Sequence, residues 1–207
     1  MRISFAYDPS CPFSWITSRW LLEVAGERDI DLTLVPFSLA MKNDELDGET
    51  DPHGMSHRRA HRVLRVITAA EKAGASAVDL YSAFGAARHI DGREFDDALI
   101  LEVLDRAGLS GELLAAADDT SFNDHLREQQ QSVLDVVGGD TGVPTILFHD
   151  EGGATTGYFG PVLNAMPSRE EGLAIWDGLS RLAPVSSFYE LKRTRTGAPD
   201  VQSTKGR

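Results

Sequence analysis

Cys11 is the only cysteine among 207 residues, and it stands where a thiol becomes most reactive. It follows the turn residues Asp8-Pro9-Ser10 and precedes Pro12-Phe13-Ser14-Trp15, at the point where a short strand gives way to a helix. Unpaired backbone N–H groups and the positive end of the macrodipole face whatever lies at a helix start. A thiol there is stabilised as thiolate, the nucleophilic form, and titrates below the free value of about 8.5. Most lone cysteines are buried small hydrophobes. The order strand, turn, Cys-Pro, helix favours a chemical role in this case. Ser14 can hydrogen-bond the thiolate and depress its pKa further. Phe13 and Trp15 are the aromatic side chains nearest the nucleophile, whereas Trp20 fits the inner face of the helix.

A second signal lies far along the chain, in Thr141-Gly142-Val143-Pro144-Thr145, just before a strand. A Val143–Pro144 bond in the cis form is expected here; a trans proline opening an edge strand is the plainer alternative. Alone the motif is weak, but paired with Cys-Pro at a helix start it is strong. Other clusters carry less. His53, His57 and His61 share a helix face and could bind zinc, but no His-Glu-x-x-His pattern is present and Arg58, Arg59 and Arg62 crowd the same turns. No metal is expected. The stripe Arg58, Arg59, Arg62 and Arg65 reads either as a solvated face paired with nearby acids or as an attractor for an anionic thiol cosubstrate. Lys192, Arg193 and Arg195 read as a surface feature. No glycine-rich phosphate loop occurs, so no tightly bound nucleotide cofactor is expected.

The elements that must position Cys11 follow from periodicity. Ile3, Phe5 and Tyr7 alternate as one face of a strand, and Phe13, Ile16, Trp20, Leu21 and Val24 recur at helical spacing. A strand is predicted over Ile30–Leu39, with Leu32, Leu34 and Phe37 inward. A long block then reads as helices at Met55–Ala73, Ala77–Arg88, Glu94–Ala107, Gly111–Ala117 and Ser121–Val137, punctuated by glycines. Strand character returns at Thr145–Phe148 and Thr156–Phe159, followed by a helix over Arg169–Leu182. The tail from about Thr194 reads as loose. The economical account is an α/β unit of residues 1–41 and 140–207, split by an all-helical insertion at 42–139.

Composition narrows the function classes. The net charge of −12 argues against nucleic-acid and anionic-membrane partners. No apolar run is long enough for a membrane span, no signal-peptide pattern opens the chain, and one cysteine permits no internal disulfide. These features predict a cytoplasmic protein.

The paired motifs, Cys11-Pro12-Phe13-Ser14 with Gly142-Val143-Pro144-Thr145 on either side of a helical block, resemble the DsbA-like branch of the thioredoxin superfamily. Within it the chain is most similar to the mycothiol-dependent nitroreductases. The matching segments include Asp8-Pro9-x-Cys11-Pro12, Trp15–Trp20, Ser38-Leu39-Ala40, Phe159–Leu163 and Phe188–Thr196. The resemblance implies a thioredoxin-like fold and an oxidoreductase with mycothiol, a low-molecular-weight thiol, as cosubstrate. Its substrates would be small disulfides or nitroaromatic compounds, and a homodimer is compatible with it. It places the nucleophile at Cys11, the cis proline at Pro144 and a site-lining asparagine at Asn43; by their places beside the nucleophile and the proline, Pro12, Phe13, Trp15 and Val143 are the other expected substrate contacts. A tyrosine expected near Asn43 has no counterpart; Pro52 or His53 falls close to that position.

The sequence departs from the family at one place. The family motif ends in a resolving cysteine where Ser14 stands, and has Trp where Phe13 stands. Without a second thiol, a mixed disulfide on Cys11 has no internal route of release. The same change brings the motif close to that of kappa-class glutathione transferases and 2-hydroxychromene-2-carboxylate isomerases, in which a serine assists a bound thiol. A redox-inactive binding scaffold is the third reading.

Overall fold

The computed structural model describes residues 1–207. In chain order the elements are β1 (Arg2–Tyr7), α1 (Pro12–Ala25), β2 (Asp31–Pro36), α2 (Leu39–Lys42), α3 (Pro52–Lys72) and α4 (Ala77–Gly85). A π-helical turn (Ala86–Ile90) leads on to α5 (Asp97–Arg106), two 3₁₀ segments (Gly111–Asp118 and Thr120–Phe122) and α6 (Asn123–Val137). The chain closes with β3 (Thr145–His149), β4 (Thr155–Phe159), α7 (Arg169–Leu182) and a 3₁₀ turn (Val201–Thr204). Two units result. One comprises Met1–Tyr7, Pro12–Val35 and Ser132–Arg207; the other comprises Asp8–Cys11 and Pro36–Gln131.

The first unit is built on a four-stranded sheet in the order β2-β1-β3-β4, with β3 antiparallel to both β1 and β4. The period of two in β1 buries Ile3, Phe5 and Tyr7, and the register sets Ile3 opposite Phe148 and Phe5 opposite Ile146. Pro12 opens α1, where its missing N–H leaves no hydrogen bond unmade. The apolar stripe Ile16, Trp20, Leu21 and Val24 is fully enclosed. Trp20 packs near Trp176 of α7, ring centroids 6.4 Å apart, and Trp176 lies 5.9 Å from Phe148. The Trp20 indole N–H donates to the Gly172 carbonyl at 3.0 Å. Helix α7 starts on a capping box between Ser168 and Glu171.

The second unit is helical. Its core gathers Val63, Leu64 and Ile67 of α3 with Leu80, Phe84, Phe95, Leu99 and Ile100, and Phe84 meets Phe95 edge to face. Asp51, Ser76 and Asp96 cap the starts of α3, α4 and α5 through their side chains.

Three expectations are corrected. The strand predicted to Leu39 stops at Pro36, because proline supplies no ladder donor and Ser38 instead caps α2, accepting from the Met41 N–H. Leu32 and Leu34 are only half-buried, whereas Phe37, just past the strand, is fully enclosed. The helix predicted over Ala77–Arg88 keeps α geometry to Gly85 and then widens into the π-helical turn. The tail is not loose throughout. Its last residues form a 3₁₀ turn whose Thr204, 2% exposed, accepts the buried indole N–H of Trp15 at 2.8 Å. Asn164 holds the segment ahead of that turn, donating to the Ala198 carbonyl and accepting from the Asp200 N–H.

Gly172 and Gly178 separate two roles of glycine in one helix. A Cβ on Gly172 would meet the Trp20 ring at 3.1 Å, whereas one on Gly178 would meet nothing within 4 Å. Gly172→Ala is therefore expected to lower the unfolding free energy by about 1–3 kcal/mol through overpacking. Gly178→Ala should raise it by about 0.5–1 kcal/mol through helix propensity. Denaturant unfolding of the two variants checks this; equal effects of one sign would show that Trp20 is not packed against Gly172.

Candidate active site

The site is built from the turn that delivers Cys11. Asp8 and Pro9 occupy the first and second positions of a β-turn, the places where these residue types are favoured, and the Cys11 N–H closes it onto the Asp8 carbonyl at 3.0 Å. The Asp8 side chain is wholly buried. One of its oxygens accepts from the Ser10 N–H at 2.8 Å and the Ser10 hydroxyl at 2.5 Å, and the other accepts from the Leu39 N–H at 2.8 Å. Burial pushes the Asp8 pKa upward, against the lowering effect of those hydrogen bonds.

The remaining carbonyl of the turn is engaged as well. His89, on the π-helical turn, donates from Nε2 to the Pro9 carbonyl at 2.9 Å. That bond requires the neutral ring to carry its proton on Nε2, and burial pushes the His89 pKa down to about 4. Four residues in sequence are thus fixed by a carboxylate, a hydroxyl and an imidazole. Cys11 leaves this turn 8% exposed and is followed at once by Pro12, the first residue of α1.

The residues singled out in the sequence fall as follows. Pro12 and Phe13 are half-buried on the first turn of α1, and Ser14 is fully buried. Trp15 is 3% exposed, with its N–H on Thr204 and the Arg19 guanidinium 4.3 Å from its ring. Val143 and Pro144 are buried just ahead of β3, their peptide bond is cis, and the Pro144 carbonyl accepts from the Gly160 N–H at 2.7 Å. Asn43 is exposed at the C-terminal end of α2.

The arginine stripe is engaged within its own unit. Arg58 donates to the carbonyls of Glu45, Asp47 and Gly48, Arg59 pairs with Glu94, and Arg62 pairs with Asp97 and Asp118. Arg65 donates to Asn123 and to the Ala117 carbonyl. Of its two readings, the face paired with nearby acids and carbonyls describes the geometry. The three histidines of α3 do not converge either. His57 meets Glu45 at 2.5 Å, while His61 sits between the Ser38 hydroxyl and Asn123, each at 2.9 Å. No group of three or more His, Cys, Asp or Glu side chains is arranged to hold a metal ion.

Sequence reasoning missed Asp8 and His89 as parts of the site. Asp8 was visible as turn chemistry, but nothing in the spacing marks His89, eighty positions from its partner.

His61, buried, and His89, half-buried, are both neutral, each with its pKa pushed down to about 4. In the unfolded chain each titrates near 6.5, so between pH 6.5 and about 4 the unfolded state binds more protons and stability falls as the pH drops. Asp8 acts in the opposite sense, since its raised pKa removes stability as pH rises above the carboxylate range. The difference between the parent and His89→Gln cancels the Asp8 contribution, and glutamine keeps a donor for the Pro9 carbonyl. The parent melting temperature is expected to fall more steeply than the variant's between pH 6.5 and 4. Parallel profiles from thermal melts would show that His89 is not held neutral.

Known proteins resemble this chain in family and in fold. The Mycobacterium tuberculosis protein Rv2286c is 30% identical over 203 residues, covering 97% of this chain and 84% of that protein. The cytosolic disulfide reductase DsbM from Pseudomonas aeruginosa superposes with a TM-score of 0.60 at 16% identity, over 88% of this chain and all of that one (100%). The probable DsbA oxidoreductase SCO1869 from Streptomyces coelicolor gives 0.58 at 19% identity, over 97% of each chain. A 2-hydroxychromene-2-carboxylate isomerase gives 0.58 at 15% identity, over 90% of this chain and 100% of the other. These likenesses show the thioredoxin-like α/β fold of DsbA-type proteins. A narrower match, to mycothiol-dependent nitroreductase Rv2466c and its relatives, runs over residues 10–193. Because it takes in the cysteine turn, the helical block and the strands after Pro144 alike, this chain belongs to the Rv2466c-like family of mycothiol-dependent nitroreductases.

Proposed function

We propose that the protein is a mycothiol-dependent oxidoreductase that works through the single thiol of Cys11. The observation that carries this reading is the placement of Cys11. It is held by a hydrogen-bonded turn and followed immediately by α1, whose first N–H groups have no partner within the helix.

In disulfide exchange, the Cys11 thiolate attacks one sulfur of a small disulfide. A bond forms between Cys11 and that sulfur, the old sulfur–sulfur bond breaks, and the second sulfur leaves as thiolate. An external mycothiol thiolate then attacks the mixed disulfide and restores Cys11. With a nitroaromatic acceptor, two mycothiols become one disulfide and supply two electrons and two protons, which convert nitro to nitroso and water. Ser14 donates to the sulfur, and Phe13 and Pro12 form the wall beside it. Val143 and Pro144 receive the incoming thiol, with the Val143 backbone pairing as a short added strand. Asn43 and Trp15 complete the substrate-lining set, and residues 42–139 act as the insertion that selects substrate. The absence of any helix long and apolar enough to cross a membrane is compatible with work in the cytoplasm, where mycothiol would be the reductant. The second reading, an isomerase or transferase that binds the thiol without covalent exchange, is favoured by Ser14, the residue in which the motif approaches that group.

Two experiments separate these readings. Intact mass after exposure to oxidised mycothiol should show one adduct on Cys11, absent in Cys11→Ser, with less adduct from oxidised glutathione. No adduct from either reagent favours the non-covalent enzyme. Ser14→Cys should shorten the adduct lifetime by more than 100-fold at millimolar thiol. An oriented internal thiol has an effective molarity of about 10⁵ M or more, which external thiol does not match. Equal adduct lifetimes would show that position 14 does not face the reactive sulfur.

A further inference from the structure

Arg195 lies over the ring of Phe13, with its guanidinium carbon 4.8 Å from the ring centroid. Phe13 is on the first turn of α1, two positions after the nucleophile. The tail segment that carries Arg195 is tied at both ends. Upstream, the Tyr158 hydroxyl donates to the carbonyls of Leu182 and Phe188, and its ring packs on Phe188. Downstream, Asn164, Trp15 and Glu23 hold Ala198, Thr204 and Arg207. The contact with Phe13 therefore belongs to an anchored strap.

The strap gathers three cations, Lys192, Arg193 and Arg195, within four positions. Arg28, Arg62, Arg88, Arg93, Arg169 and Arg207 each pair with a carboxylate, as the excess of acids predicts. Lys192, Arg193 and Arg195 have no carboxylate within ion-pair distance, although the chain carries 32 Asp and Glu. A guanidinium stacked on an aromatic face keeps its N–H edges for a ligand, in a plane suited to a carboxylate or nitro group. A net charge of −12 repels anions, so a local cluster of unpaired cations governs which anions approach.

We propose that Arg195 is a specificity-determining residue that draws substrates bearing an anionic group onto the Phe13 face of the Cys11 centre. The proposal rests on the reading of Cys11 as the nucleophile. It adds a substrate class to that reading: an aromatic or thiol compound with a negative group beside the atom that reacts. The anionic group of such a substrate meets the N–H edge of the guanidinium that covers the Phe13 ring, and Lys192 and Arg193 supply the longer-range attraction.

The test uses no turnover. Cys11 is alkylated with iodoacetate, an anion, and iodoacetamide, its neutral analogue, and the ratio of the two rates reports the potential met by an incoming reagent. Arg195→Gln should lower the ratio by about three-fold, the size expected of one charge several ångströms away in watery surroundings. Arg195→Lys should lower it less. Arg181→Gln, an exposed charge on α7, changes net charge equally and should leave the ratio alone. In the parent, 0.5 M salt should shrink the iodoacetate preference, because screening acts over about 4–5 Å at that strength. An unchanged ratio in Arg195→Gln, equal loss with both reagents, or no reaction of Cys11 with either would overturn the proposal. Failure of nitroaromatic reduction with the charge effect intact would instead count against the reaction proposed for Cys11.

Discussion

The buried carboxylate of Asp8 is the interaction on which the reactive end of this protein depends. A wholly enclosed carboxylate is costly unless its oxygens are hydrogen-bonded. Here three donors meet it, two from Ser10 and one from the Leu39 backbone. Those bonds fix the shape of the turn, and the turn fixes where the chain enters α1. His89 completes the arrangement by satisfying the Pro9 carbonyl. The residues that aim the cysteine thus come from the helical unit, to which the Asp8–Cys11 turn itself belongs.

Electrostatics follow a similar division. Most arginines of this acidic chain are tied to carboxylates or carbonyls, including the whole stripe on α3. Two histidines, His61 and His89, are held neutral, each with its pKa pushed down to about 4. Lys192, Arg193 and Arg195 of the C-terminal strap have no such carboxylate. A reactive thiolate needs positive surroundings. In the proposed mechanism the chain provides them through the backbone dipoles of α1 and the guanidinium stacked on Phe13.

Much of this was legible in the sequence, for physical reasons. Alternation in Ile3–Tyr7 and helical spacing from Phe13 to Val24 follow from burying one face of each element. The pairing of Cys11-Pro12 with Val143-Pro144 marked the fold family, and the glycines marked the ends of most helices. Other features depend on contacts between distant residues and have no local signature. His89 reaches Pro9 because α4 widens into a π-helical turn, which nothing in Ala86–Ile90 announces. The tail looked polar and loose, yet the buried Trp15 N–H required an acceptor and Thr204 supplies it from 189 positions away. Nothing local distinguishes Arg195 from other surface cations, because its partner Phe13 lies at the opposite end of the chain. The α3 stripe left two readings open for the complementary reason: the sequence shows the cations together, but the partners from 45–48, 94–97 and 117–123 become visible only when folded.

The account stands on Cys11 being an activated nucleophile rather than a packed small hydrophobe. The most direct measurement is the rate of Cys11 alkylation by a neutral reagent against pH, followed by intact mass. The account predicts a midpoint clearly below the free-cysteine value of about 8.5, with Asp8→Ala moving it upward as the turn loses its shape. A midpoint at or above that value, unmoved by Asp8→Ala, would contradict it.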